Sequence, residues 1–461
     1  MAGDYDLIVV GGGAAGLGAA RAAAAARART LLVSEGEIGG ECTFTGCVPS
    51  KTLIEAAARG AAFPEAMAAV RQAVTTIAAT ETPQVLRQEG IEVIRGHAAF
   101  ISPGQVRVDG RVLTARAYVI ATGSRPAVPP VPGLDRVPYL TNENVFALSS
   151  LPTSLAILGG GPVGCELAQA FGRLGAQVTI VEAAGRLLPA ADPETSHVVT
   201  DVFRAGGIGV RTASQAGHIT PNENGVTLTL PGAETVTAGH LLVATGRQPV
   251  TDHLGLDPAG VRVDDRGRIV TDEHLATTAP GIYAAGDVTG RMPFTHAAHA
   301  MGRLAARNAL RRRWSPPGRF TTGAIPWVVF TAPEVAQVGL TEHQAAAHTG
   351  ARVAYLPMSQ VDRAVAAGQT EGFVKIIAGP RRLTGNTGGG RVLGATIVAA
   401  RAGEMIHEPT LAIRTGMFTG RLAQATHAYP TWSLAIQQAA AQFFGRYDGR
   451  TARPAQAHPE R

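Results

Sequence analysis

At 461 residues the chain is too long for one typical core and has room for about three domains, and its 45% hydrophobic and 16% charged content excludes a disordered polypeptide. The net charge of +6 comes almost wholly from arginine, lysine occurring only at Lys51 and Lys375, and no basic stripe or RNA motif accompanies it, so nucleic acid is not an expected partner. No apolar run reaches the ~18 residues of a membrane span and the opening stretch Met1–Asp6 is acidic and polar, so neither a membrane nor a secretion signal is expected, and a cytoplasmic location is.

Residues 6–35 read strand, glycine turn, helix, strand. Leu7-Ile8-Val9-Val10 is a buried strand, the turn carries Gly11, Gly13 and Gly16, an alanine-rich helix follows, and Leu31-Leu32-Val33 ends at Glu35. The next segment contains Gly39, Gly40, Cys42, Cys47, Pro49, Ser50 and Lys51. Tyr118 to Gly123 then forms a strand ending Ala121-Thr122-Gly123, followed by a proline-rich crossing from Pro126 to Pro138.

The first grammar recurs at 155–182: a strand, a turn with Gly159, Gly161 and Gly164, a helix, and a second strand closing at Glu182. Leu241 to Gly246 again ends Ala-Thr-Gly. Two complete copies predict two dinucleotide sites, because such glycines admit a pyrophosphate to a helix N-terminus and the closing glutamate holds ribose hydroxyls. Glu182 repels a 2′-phosphate and Ala183 follows it, which favours NADH over NADPH, with Arg186 close enough to leave NADPH allowed.

The cluster Arg311-Arg312-Arg313-Trp314 is expected at a helix end, where cations meet the helix dipole. From about residue 325 the texture changes to strands 328–330, 353–355, 373–377 and 392–398, with helices over 403–416 and 432–445. Gly379–Gly390 reads as an enlarged, mobile hairpin loop, and 447–461 as a flexible polar tail.

Three cysteines do not make a disulfide framework, but two of them lie five apart beside glycine. Pro49 and Ser50 suit a first helical turn, which puts Cys47 at a helix N-terminus and lowers its thiol pKa. Gly46 lets Cys42 fold back onto Cys47, so the pair can open and close by thiol–disulfide exchange. The lysine at 51, in a chain that otherwise uses arginine, points to a need for a compact ammonium, with Glu166 as its expected partner. Cys165, inside the second glycine helix, reads as inert core.

The segment Cys42–Lys51, the two glycine turns and Gly281 to Asp287 resemble those of the pyridine nucleotide–disulfide oxidoreductases, a family that includes dihydrolipoyl dehydrogenase, glutathione reductase and mercuric reductase. The resemblance covers residues 5–446. It implies an α/β fold of two doubly wound dinucleotide-binding domains plus a C-terminal α+β dimerisation domain. The implied bounds are 1–150 for FAD binding, completed by 281–322, then 151–280 for NAD(P) and 323–446 for the homodimer interface. It further implies Cys47 as the thiolate against the flavin, Cys42 as the interchange thiol, Lys51 and Glu166 paired near flavin N5, and Asp287 on the ribityl chain. Gly40 and the first Ala-Thr-Gly join the implied FAD contacts, and Gly246 the nicotinamide ones.

The chain departs from the family at Tyr429 and Leu434, where most members carry a histidine and a glutamate that serve the partner's cysteines. His427 stands two residues early, and in an extended turn it would share a side with Tyr429. A tyrosine near pKa ~10 is a poor acid–base group at neutral pH. Mercuric reductases are similar in having a tyrosine there, since a thiolate-bound metal ion needs no proton relay. No vicinal cysteine pair stands between residues 447 and 461, and a metal-capture domain ahead of the first strand is not expected. Phe44 replaces a usual asparagine, either lining the approach to Cys42 or packing beneath the loop.

The expectation is therefore an NAD(P)H- and FAD-dependent enzyme passing electrons through Cys42–Cys47 to a metal ion or other electrophile. The alternatives are a reductase or oxidase of a small-molecule disulfide or dithiol, dihydrolipoyl dehydrogenase, and last a non-catalytic flavin-binding protein.

Overall fold

The computed structural model describes residues 3–312, 314–381 and 383–457. Met1, Ala2, Arg313, Arg382 and residues 458–461 lie outside it, and with them the chain's opening, one arginine of the basic cluster, one residue of the 379–390 loop and the end of the tail.

The first sheet is built on parallel strands in the order Ile91–Arg95, Thr30–Ser34, Tyr5–Val10 and Arg111–Ile120, with Ile282–Ala284 added beside the last. Such strands are covered on both faces, and Leu7, Ile8, Val9, Leu31 and Leu32 are fully buried. Arg111–Ile120 is long enough for two duties. Its second half joins the parallel sheet, and its first half carries an antiparallel hairpin of Ala98–Ser102 and Gln105–Val108. Helix Ala14–Ala25 crosses helix Thr295–Leu310 at close range: a Cβ on Gly302 would strike the Ala15 backbone, and one on Gly18 the His299 carbonyl. That contact brings residue 295 back to the first glycine turn.

The second unit has parallel strands in the order Gly209–Arg211, Gln177–Val181, Ser154–Leu158 and His240–Val243, with an antiparallel three-stranded sheet over 218–238. The strands Ser124–Pro126 and Arg247–Pro249 pair antiparallel where the chain crosses between the units.

The C-terminal sheet runs Trp327–Val329, Glu334–Gly339, Arg391–Ala399, Phe373–Gly379, Arg352–Pro357 and Arg453–Pro454. The predicted helix over 403–416 is two helices, Ala402–Met405 and His407–Thr415, while 432–445 is helical only over Leu434–Ala441. A further helix, Thr419–Gln424, is too short to show a period in the sequence.

Two expectations are corrected here. Within the tail expected to be flexible, Arg453–Pro454 adds a strand beside Arg352–Pro357, and Arg453 forms an ion pair with the fully buried Glu342. Glu342 also faces Lys375 Nζ at 3.0 Å, and that ammonium, itself fully buried, holds Asp192 at 3.1 Å and Glu194 at 3.0 Å. The tail is thus tied to a buried charge cluster that also joins the second unit to the C-terminal domain. The 379–390 loop is likewise docked, with the Arg381 guanidinium 4.2 Å from the Phe418 ring and Gly389 packed on Thr419 and Phe444. Among the described residues no helix is long and apolar enough to cross a membrane.

Candidate active site

The two glycine turns are built alike. Gly11 and Gly159 have φ of 112° and 107°, and a Cβ on either would meet the carbonyl of Ala121 or Ala244, the first residue of each Ala-Thr-Gly. Gly16 and Gly164, expected to bind cofactor, do not line the cavity. A Cβ at either would collide with the carbonyl oxygen of Gly11 or Gly159, so they let helix and strand approach. Gly13 and Gly161 face open space at the helix N-termini, the cradle that a pyrophosphate requires.

Both cradles open into one cavity of about 1470 Å³, larger than the ~300–1,000 Å³ of an ordinary small-molecule pocket. Glu35 and Glu182 lie at its walls, as do Gly40, Ala121, Thr122, Gly123, Gly246 and Asp287. Glu35 is mostly exposed, with His97 Nδ1 at 3.4 Å. Glu182 accepts from the Ala184 amide at 2.6 Å and from the Gly160 amide, which fixes its carboxylate beside the second cradle. Arg186 is turned aside, donating to the carbonyls of Pro189 and Ala191 at 2.8 and 3.4 Å. Asp287 accepts from the Ser124 hydroxyl at 2.7 Å.

Cys42, Cys47, Lys51 and Glu166 line the same cavity. Cys47 is the first residue of helix Cys47–Ala58, and both it and Cys42 are free and partly buried. The two thiols differ sharply. The hydrogen bond received from Cys42 lowers the Cys47 pKa to about 6 against the opposing effect of burial, helped by the Lys51 charge and the Thr295 hydroxyl. The same contact, with burial, pushes Cys42 far up. Both shifts favour negative charge on Cys47 over Cys42.

Lys51 Nζ lies 2.7 Å from Glu166 Oε2, and the other carboxylate oxygen accepts from the Phe330 amide at 2.9 Å. The Lys51 ammonium also stands 4.8 Å from the Phe330 ring centroid.

Sequence reasoning missed Thr295, whose hydroxyl is 3.2 Å from Cys47 Sγ across 248 positions of chain. It also missed Arg247 and Asn142 beside Glu41, and no local pattern announces any of the three. Phe44 ends helix Gly40–Phe44, half-buried, and does not line the cavity. Cys165 is fully buried, with its pKa raised by burial.

His427 and Tyr429 are not brought to the cysteines of their own chain. His427 is held by Glu408 at 3.0 Å and by the Ala425 carbonyl at 3.0 Å. Tyr429 is 71% exposed and donates to Asp362 at 2.9 Å. The two do not share partners.

Residues 5–302 match the pyridine nucleotide-disulphide oxidoreductase family, and 325–440 match its dimerisation domain. The chain is 38% identical to a mercuric reductase of Streptomyces lividans over 95% of its own length and 96% of the relative's. It is 35% identical to a dihydrolipoyl dehydrogenase of Thermus scotoductus, covering 95% and 96%. Among solved structures, the Cu(II) complex of the HOCl-induced flavoprotein disulfide reductase RclA from Escherichia coli superposes with a TM-score of 0.85 at 31% identity, covering 93% of this chain and 98% of that one. LpdA from Mycobacterium tuberculosis does so with 0.86 at 30%, covering 95% and 99%. This chain belongs to the pyridine nucleotide–disulfide oxidoreductases, flavoprotein enzymes that use FAD and NAD(P)H, and its dimerisation domain supports a homodimer.

Proposed function

We propose that the enzyme takes electrons from NADH into the Cys42–Cys47 couple and delivers them to a soft metal ion or another electrophile that needs little proton transfer. The observation that carries this reading is Tyr429, whose hydroxyl donates to Asp362 at 2.9 Å, with Leu434 beyond it, where most of the family carry a histidine and a glutamate. A hydride equivalent added to a disulfide yields one thiolate and one thiol, and the pocket stabilises that product with Cys47 charged and Cys42 protonated. FAD, when bound, supplies the two-electron relay between nicotinamide and sulfur.

The chain's own residues do the rest. Gly13 and Gly161 leave room for the two pyrophosphates, and Asp287, at the cavity wall, would hold the ribityl chain. Lys51, fixed by Glu166, places a positive charge near Cys47 and offsets the negative charge that arrives there. Cys42 is the interchange thiol. The Glu182 carboxylate and the turned-away Arg186 favour NADH, since a 2′-phosphate would meet a negative charge and no free guanidinium.

Each subunit's Tyr429 would face the partner's cysteines across the dimer. Asp362 raises the Tyr429 pKa above its ordinary 10 through a hydrogen bond to the carboxylate, so this hydroxyl stays protonated and donates rather than acting as a base. Ordinary dithiol oxidation therefore lacks its proton acceptor, whereas a soft cation held by the Cys47 thiolate would itself acidify the Cys42 thiol, whose proton leaves to water as the second sulfur ligates. The mercuric reductases among the relatives favour the same reading.

The alternative is reduction of a specialised small disulfide, with His427 and Glu408 as the proton path; the favouring observation is their 3.0 Å contact. Steady-state NADH oxidation with mercuric ion, a panel of small disulfides, and dihydrolipoamide with NAD separates these. Turnover with the metal ion supports the proposal, and a dihydrolipoamide rate above that with metal ion defeats it.

A further inference from the structure

Glu41 immediately precedes the interchange cysteine. It receives a two-pronged ion pair from the Arg247 guanidinium and a hydrogen bond from Asn142 Nδ2 at 2.6 Å. Asn142 also donates to the Thr45 carbonyl at 3.2 Å, so it grips the inter-cysteine loop at both ends. Arg247 opens the strand Arg247–Pro249 directly after Gly246 of the second unit, and it donates to the Ser124 hydroxyl at 3.1 Å and carbonyl at 2.8 Å. Ser124 in turn donates to Asp287. One line of polar contacts thus runs from the neighbour of Cys42, through the crossing between the two dinucleotide units, to Asp287.

The helix that carries Cys42, Gly40–Phe44, is only five residues long. A single turn does not persist on its own propensity and takes its geometry from tertiary contacts. Gly39 and Gly40 precede Glu41 at φ of 108° and 61°, where the backbone turns without side chains to brace it. A forked guanidinium–carboxylate contact fixes orientation as well as distance. The Glu41 and Arg247 side chains are 32% and 25% exposed, which weakens salt screening relative to a surface pair.

We propose that Glu41, clamped by Arg247 and Asn142, is the positioning residue for Cys42, setting how readily its sulfur closes onto Cys47. The proposal rests on the reading of Cys42 as the interchange thiol. It predicts that the second dinucleotide unit, through Arg247, helps determine the redox equilibrium of a sulfur couple borne on the first.

The test uses the FAD-loaded enzyme as wild type, Glu41→Ala and Glu41→Asp. Three quantities are read: iodoacetamide labelling of Cys42 in the reduced protein, located by peptide mass; the equilibrium of the couple against glutathione; and the rate of flavin reduction by NADH. In Glu41→Ala, Cys42 labelling rises about fivefold and the exchange equilibrium moves about tenfold toward the dithiol, which is about 30 mV for this two-electron couple. FAD content and flavin reduction stay within about twofold of wild type, and Glu41→Asp lies nearer wild type in both thiol readings. Thiol readings within about twofold of wild type in Glu41→Ala overturn the proposal. So does a loss of FAD and flavin reduction in parallel with them, since that marks a general structural role. A wild-type protein without an exchangeable Cys42–Cys47 couple overturns this proposal together with the reading it rests on.

Discussion

The Lys51 ammonium and the Glu166 carboxylate meet at 2.7 Å although each belongs to the helix of a different unit, Lys51 behind the redox cysteines and Glu166 behind the second glycine turn. Glu166 is nearly buried, and its second oxygen is occupied by the Phe330 amide of the C-terminal domain. Three parts of the chain therefore fix one positive charge beside Cys47.

Replacing Lys51 by methionine keeps the stem and removes the charge. Because Lys51 lowers the Cys47 pKa, the thiolate should form at higher pH in the variant. Flavin reduction by NADH should slow by about 10²-fold, the order typical for loss of one preorganised electrostatic group. Rapid-mixing absorbance of the flavin measures this. Lys51→Arg should recover only part, because a planar fork does not fit where a compact ammonium sits.

The thiolate of Cys47 should appear through a pH of about 6 in the reduced enzyme. The shift is downward from 9.0, so the charged form is favoured above pH 6 and lost below it. Thr295→Val removes the hydroxyl 3.2 Å from Sγ while keeping its shape, and should move that midpoint upward by about one unit. A pH titration of thiolate absorbance near 240 nm, roughly corrected for the flavin, follows both proteins.

Tyr429→Phe should lower metal-ion turnover while leaving its pH profile flat between about 7 and 9, because the hydroxyl does not ionise there. Tyr429→His combined with Leu434→Glu should raise small-disulfide turnover by about tenfold or more, by restoring an acid–base group with a pKa near neutrality. An unchanged disulfide rate would mean that the backbone at 427–434 does not present residue 429 to the partner's sulfurs.

The buried Lys375 cluster makes a stability prediction. Burial alone would push Glu342 up, but Arg453 and Lys375 together hold it down at about 2, from 4.5. Its contribution is present above pH 4.5 and drains away as pH falls toward 2. Arg453→Ala should bring that loss to higher pH, visible in thermal unfolding between about pH 3 and 7. Lys375→Met leaves Asp192, Glu194 and Glu342 facing one another and should cost about 3–5 kcal/mol.

The glycine turns and the cysteine segment were legible because each is a local pattern: strand, turn and helix follow in fixed order, and Gly46 lies between the sulfurs. The need for an ammonium at Lys51 was legible from the rarity of lysine and its partner Glu166 from its place two residues after Gly164, while Lys375, the other lysine, has three carboxylates around it. Thr295, Asn142 and Arg247 were not, because only the packing of distant elements brings them to Cys47 and Glu41. The tail strand has two residues and carries no period. The Tyr429–Asp362 contact spans 67 positions, so the missing His–Glu pair could be read from sequence but its replacement partner could not.

The most direct test is anaerobic titration of the purified, FAD-loaded enzyme with NADH, watching for long-wavelength absorbance from a thiolate stacked on the flavin. The band should appear in wild type, be present without reductant in Cys42→Ser, and be absent from Cys47→Ser. A band that survives in Cys47→Ser, or a wild-type protein that reduces without one at about pH 7.5, would contradict the assignment of Cys47 as the charged sulfur.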